Sequence, residues 1–168
     1  MMPLQGLGQG AQPIMSYNYG AENRNRVKET YYLLLKSSLI YSSILWLCIM
    51  LFPQIFASLF TSDTALLSFT KTALRIYLAS LFLFGIQIAC QMAFTSLGNA
   101  KASILVAVTR KFILLLPLIY LMPHIYTDNQ SIAVYMAEPI ADAIAVTFTA
   151  ILFFFQFRKA MASIPDKD

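Results

Sequence analysis

The chain has 168 residues, of which 58% are hydrophobic and only 12% charged, with a net charge of +4. A soluble domain usually carries about 25% charged residues, so this composition excludes an ordinary water-soluble fold and points to a polytopic membrane protein. Basic charge alone would suit nucleic acid, but the positions of the Lys and Arg residues give it another use, and no nucleic-acid partner is expected.

No basic region followed by an apolar core opens the chain, so no cleavable signal peptide is expected. Residues 5–21, QGLGQGAQPIMSYNYGA, are the least hydrophobic run among strongly apolar neighbours and read as the end of a membrane helix. Gly6 and Gly10 stand four apart and predict a G-x-x-x-G face for close helix approach, with Gly8 adding small surface. Gln9 and Gln12 bring polar side chains that lipid would not accept, and Pro13 predicts a bend. Tyr17 and Tyr19 suit the headgroup layer, and Asn18 with Gly20 predicts the helix stop.

A hydrophilic basic loop is expected over Glu22–Lys28, followed by a transmembrane helix over 30–52 in which Lys36 snorkels outward. Residues 53–75 are too mixed to span and read as an interfacial turn around Asp63 leading into the next helix, with Lys71 and Arg75 in its opening turns. That helix is expected over 76–97, closed by Gly98-Asn99 and joined through Lys101 to an antiparallel neighbour over 102–122. Pro117 lies inside the third span and Pro123 beyond it, while Arg110 and Lys111 interrupt its first half. The connection His124–Ser131 holds Asp128 and no Lys or Arg, and His124 is read as simply solvated. The last span, 132–157, stops at Arg158-Lys159 before a polar tail, 158–168. Cys48 and Cys90 fall inside apolar runs, where a free thiol behaves as a small hydrophobe; neither a disulfide framework nor a metal site is expected.

The charges orient this bundle. Arg24, Arg26, Lys28, Lys101, Arg158, Lys159 and Lys167 collect on one side, with Lys36, Arg110 and Lys111 leaning toward it, whereas the other side has only Lys71 and Arg75. The positive-inside rule makes the rich side, with the C-terminus, cytoplasmic. The expectation is an all-α, polytopic membrane helix bundle forming a single domain over 1–168, with four complete spans and an N-terminal partial helix over 1–21.

Gln12-Pro13, Tyr17-Asn18-Tyr19-Gly20-Ala21, Leu97-Gly98-Asn99-Ala100-Lys101, Arg110-Lys111 and Glu138-Pro139, in that order, resemble the MATE family of multidrug and toxic-compound extrusion transporters. The resemblance runs the whole chain. It implies a plasma-membrane antiporter that exports organic, cationic compounds in exchange for Na⁺ or H⁺, and it makes Gln12, Pro13, Tyr17, Asn18, Tyr19 and Gly20 a family motif. It also implies that the chain is most of the second six-helix half, without its first helix, so that a missing N-terminal portion is a partner alongside membrane lipids. Some branches place a coupling carboxylate on the helix corresponding to 76–97; this chain has no acid there.

Two polar stripes are candidates for a transport path, because ionisable groups inside a membrane are costly. In 76–97, Ser80, Gln87, Gln91 and Thr95 follow helical spacing; in 132–157, Tyr135, Glu138, Asp142, Thr149 and Gln156 do. Asp142, Glu138, Gln87, Gln91 and Gln12 are therefore the candidate substrate and ion residues. Glu138 and Asp142 share one helix face at i, i+4, where a proton and an organic cation can compete for the same charge. Arg110 could reach Asp142, but snorkelling toward the basic side is the simpler expectation. No catalytic constellation or nucleotide-binding glycine loop is present in the sequence, so neither an enzyme nor a cofactor is expected. The alternatives to a partial transporter are a non-transporting membrane interaction fragment, and a lipid or oligosaccharide flippase of the wider fold.

Overall fold

The computed structural model describes residues 2–59, 63–127 and 129–165; the expectations for Asp128 and Lys167 lie outside them. Every regular element among the described residues is helical. Helix α1 is Met2–Gly20, α2 Arg24–Leu51, α3 the short Pro53–Ser58 and α4 Thr64–Tyr77. Helix α5 is Phe84–Ser96, α6 Ala100–Val108, α7 Leu116–Ile125 and α8 Gln130–Ala162. Helices α1, α2 and α5 pack against one another; α8 packs against α4, α5 and α7. The core joins both groups, with Met15, Tyr31, Phe94, Val106 and Phe153 all buried.

Helix α1 turns Leu4, Gly8 and Met15 inward. Gly8 is where it meets α5: a Cβ there would lie 2.6 Å from Met92 Cγ and 3.3 Å from Ile88 Cγ2. Gly6 and Gly10, expected to form the close contact, have nothing within 4 Å. The reason is angular, since residues two apart lie about 200° apart around a helix. Helix α1 runs unbroken through Pro13 to Gly20. The left-handed residue that ends it is Glu22 (φ 57°), not Gly20, and Asn23 N–H closes the turn on Asn18 O at 2.8 Å.

The basic loop expected over 22–28 is therefore mostly helix. Asn23 Oδ1 accepts from Arg26 N at 3.2 Å and starts α2 at Arg24. Asn99 and Asn129 start α6 and α8 in the same way, accepting from Ala102 N and Ile132 N. Each cap satisfies a donor that the first helical turn leaves unpaired. Gly98, at φ +72°, ends the stretch before α6 as expected, with Asn99 N–H reaching back to Phe94 O.

The helix expected over 76–97 is not one piece. It is preceded by α4, already helical from Thr64, and breaks over 78–80, so that 66–77 and 81–96 meet at 41°. A 3₁₀ turn, Leu81–Leu83, leads into α5. Broken backbone at membrane depth survives only where protein satisfies its freed groups. Here Trp46 Nε1 donates to Ala79 O at 3.0 Å and Ser42 Oγ to Phe82 O at 3.0 Å, both from α2. Gly85 lets the backbones approach, because a Cβ there would sit 2.7 Å from Ser38 O and 2.8 Å from Leu39 N.

Helices α6 and α7 are joined by a π-helical turn, Thr109–Leu115, in which Leu116 N–H bonds Lys111 O. Pro117 follows it and cannot donate to the preceding turn, so the widened turn takes up the mismatch. The span expected to end at 122 continues through Pro123 to Ile125, and the one expected to stop at 157 continues past Arg158-Lys159 to Ala162. Ala133, Ala137, Ala141 and Ala145 form a buried ladder on α8 that admits its neighbours closely. Arg24–Leu51, Ala100–Ile125 and Gln130–Ala162 are long and apolar enough to cross a membrane, and the bent α4–α5 pair makes a fourth candidate.

Candidate functional site

The break between α4 and α5, the π-turn before α7 and the middle of α8 meet at one cluster. Arg110, carried by the π-turn, directs Nε to Asp142 Oδ1 at 2.6 Å and Nη2 to Glu138 Oε1 at 3.2 Å. Ser80, at the break, donates its hydroxyl to Asp142 Oδ2 at 3.1 Å. Both Asp142 oxygens are thus engaged, and its residue is only 2% exposed. The Arg110 guanidinium also lies 4.9 Å above the centre of the Phe84 ring.

Arg110 does not snorkel. Its side chain is 19% exposed and is held inward by two carboxylates, because leaving Asp142 buried without a counter-charge is far more costly than burying a pair. Two carboxylates and one guanidinium leave the ionised cluster a single net negative charge. A pocket of about 240 Å³ opens beside it, lined by Tyr77, Leu78, Ser80, Leu81, Phe84, Glu138 and Asp142. Tyr135 closes the neighbouring space, with its ring edge-on to Tyr77 and Phe69 at 6.2 Å each.

The two polar stripes fare differently. On α8, Asp142 and Glu138 meet a common partner, Thr149 is buried and bonds Ala145 O at 2.7 Å, and Gln156 accepts from Asn99 at 3.4 Å. The expected stripe on 76–97 is split by the break: Ser80 goes to Asp142 and leaves the register of Gln87. Gln87 is 5% exposed, and its Oε1 has no hydrogen-bond partner among the described residues. Gln91 and Gln12 are half-buried, and no hydrogen bond among the described residues joins Gln12, Gln87 or Gln91 to the cluster. Phe84 is the member that sequence reasoning passed over, and the pairing of Arg110 with Asp142 is the one it set second to snorkelling. The signal was there for Arg110, a cation deep in an apolar run seven residues before Pro117. His124 is exposed, with Nδ1 2.8 Å from Tyr120 O.

The motif around residues 12–20 lies away from this cluster, on α1. Tyr17 is 77% exposed, and Asn18 Nδ2 bonds Ile14 O at 2.8 Å. Of the cysteines, Cys90 is buried with Sγ 3.7 Å from Tyr31 Oη, and Cys48 is exposed; neither is in a disulfide.

The MatE family model matches residues 1–121. A solved MATE multidrug transporter, DinF-BH, is 34% identical over 96% of this chain and 35% of its own, with a TM-score of 0.86. A MATE-family multidrug resistance transporter in an inward-facing conformation matches 98% of this chain and 38% of its own, at 19% identity and a TM-score of 0.87. An outward-facing structure of such a transporter matches 96% and 36%, at 18% identity and a TM-score of 0.86. The chain thus spans little more than a third of the length of these proteins. A search of curated proteins finds no match. By the extent of the family match and the shared fold, the chain belongs to the MatE family.

Proposed function

We propose that this chain is part of a secondary active multidrug efflux transporter, in which Asp142 and Glu138 bind a cation on the transport path. The observation that supports this reading most is the cluster of half-buried Arg110 and Glu138 with buried Asp142 and Ser80 at a break in a membrane helix. Half-broken helices and midplane charges are how transporters build ion and substrate sites.

The single net negative charge suits one monovalent cation at a time: H⁺, Na⁺ or an organic cation. Arg110 supplies the balancing charge while the site is empty, and an arriving cation competes with its guanidinium for Asp142. Exchange then needs no chemistry, only two positions of the Arg110 side chain and access from alternate sides. The bundle resembles inward- and outward-facing relatives equally, which fits a unit that rocks as one body rather than refolding. The basic rim at Arg24, Lys28 and Arg158 orients the C-terminus to the cytoplasmic side of the plasma membrane.

Alternating access needs a site between two moving bodies, so this chain alone should not transport. Expressed by itself in an efflux-deficient host, it should leave accumulation of a fluorescent organic cation unchanged; co-expressed with a matching N-terminal portion, it should lower it. Efflux by the chain alone would overturn the reading of it as a part.

A further inference from the structure

A second cavity, of about 670 Å³, lies at the basic end of the bundle between α2, α5 and α8. It shares no residue with the carboxylate cluster. Lys28, Arg158 and Arg24 line one end of it, and no Asp or Glu lines it anywhere. Its floor is a preformed aromatic stack: Tyr31 on Phe153 at 4.7 Å, and Phe153 on Phe157 at 4.9 Å. Its lips stand open, with Tyr32 53% and Phe154 60% exposed.

We infer that this groove binds an anionic phospholipid, with the headgroup on Lys28 and Arg158 and one acyl chain along Tyr31, Phe153 and Leu39. The charge decides the class of ligand. Cations at the mouth repel an organic cation, so the groove is unsuited to the ligands proposed for the carboxylate cluster. They attract a phosphodiester, as basic pockets between membrane helices do. The length also fits: Lys28 to Leu39 is about 16 Å of helix at about 1.5 Å per residue, and its far half is entirely apolar among the residues that line it. The volume lies within the roughly 300–1,000 Å³ of ordinary ligand pockets. Cations at the headgroup level with aromatic rings below them match an amphiphile with its head outward. The inference requires a membrane around the bundle but not that the chain transports anything.

Native mass spectrometry of the purified full chain, given equal phosphatidylglycerol and phosphatidylcholine, tests it. Phosphatidylglycerol should be retained at least about fivefold over phosphatidylcholine, and the double variant Lys28→Gln/Arg158→Gln should abolish the preference. A chain carrying Phe154→Trp, with Trp46 kept as internal reference, locates the lipid. Phosphatidylglycerol brominated in its acyl chain should quench the added tryptophan more than Trp46. Equal retention of the two lipids, a preference that survives the double variant, or quenching confined to Trp46 would each overturn the assignment.

Discussion

Asp142 holds three positions together: the π-turn through Arg110, the helix break through Ser80, and its own helix. Such a residue resists substitution for reasons separate from transport. Removing one partner of a buried ion pair usually costs about 3–5 kcal/mol, because it strands the other charge. Arg110→Ala should therefore cost about that much in denaturant unfolding of the chain in micelles, and clearly less in an Asp142→Asn background, where little charge is left to strand. Equal costs in both backgrounds would mean that Asp142 does not hold Arg110. The acids were legible in the sequence because carboxylates in an apolar run with i, i+4 spacing have few bland explanations. The pairing with Arg110 was legible only as the second reading, since a long cationic side chain on the half of a span nearer the basic side is more simply explained by snorkelling. Only the π-turn, which rotates Arg110 onto α8, decides between the two.

At the scale of elements, the close approaches fall at Gly8 and Gly85 rather than at the spaced pair Gly6 and Gly10. Gly85→Ala would drive a Cβ into the backbone of α2, and overpacking of this kind costs about 1–3 kcal/mol. Gly10→Ala meets open space and should be neutral or gain up to about 1 kcal/mol from helix propensity. Thermal unfolding in detergent should separate the two variants, and the reverse order would show that α2 and α5 pack otherwise. The helices themselves were readable from apolar runs and from the Gly98-Asn99 stop. The break over 78–80 was not, because its sequence, Leu-Ala-Ser, contains neither Gly nor Pro. What opens the helix there is tertiary: Trp46, Ser42 and Asp142 offer its backbone and side chain better partners than the helix does. Helix starts were misplaced because three Asn caps begin the helices earlier than hydrophobicity alone suggests.

Across the whole molecule, segregation of Lys and Arg to one end carries the proposed orientation. In a background without Cys48 and Cys90, a cysteine replacing Thr127 should react with an impermeant thiol reagent in intact cells, while one replacing Ser163 should be protected. The opposite pattern would invert the bundle. The family was legible from the order of short motifs along the chain, whereas the site was legible only in part: Ser80, Glu138 and Asp142 stood out as candidates, but their meeting with Arg110 joins three separate segments.

The central claim is that Asp142 acts through its ionisable charge. Asp142→Asn keeps its shape and can still hydrogen-bond Ser80, now donating its amide to the hydroxyl, but cannot ionise. The direct test is transport of an organic cation by the assembled transporter, the chain together with its complementary portion, over a range of pH and at matched amounts in the membrane. Asp142→Asn should abolish transport at every pH, whereas Glu138→Gln, which leaves the shorter Arg110–Asp142 contact intact, should retain a reduced rate. Transport by Asp142→Asn at the normal rate across that range would contradict the account.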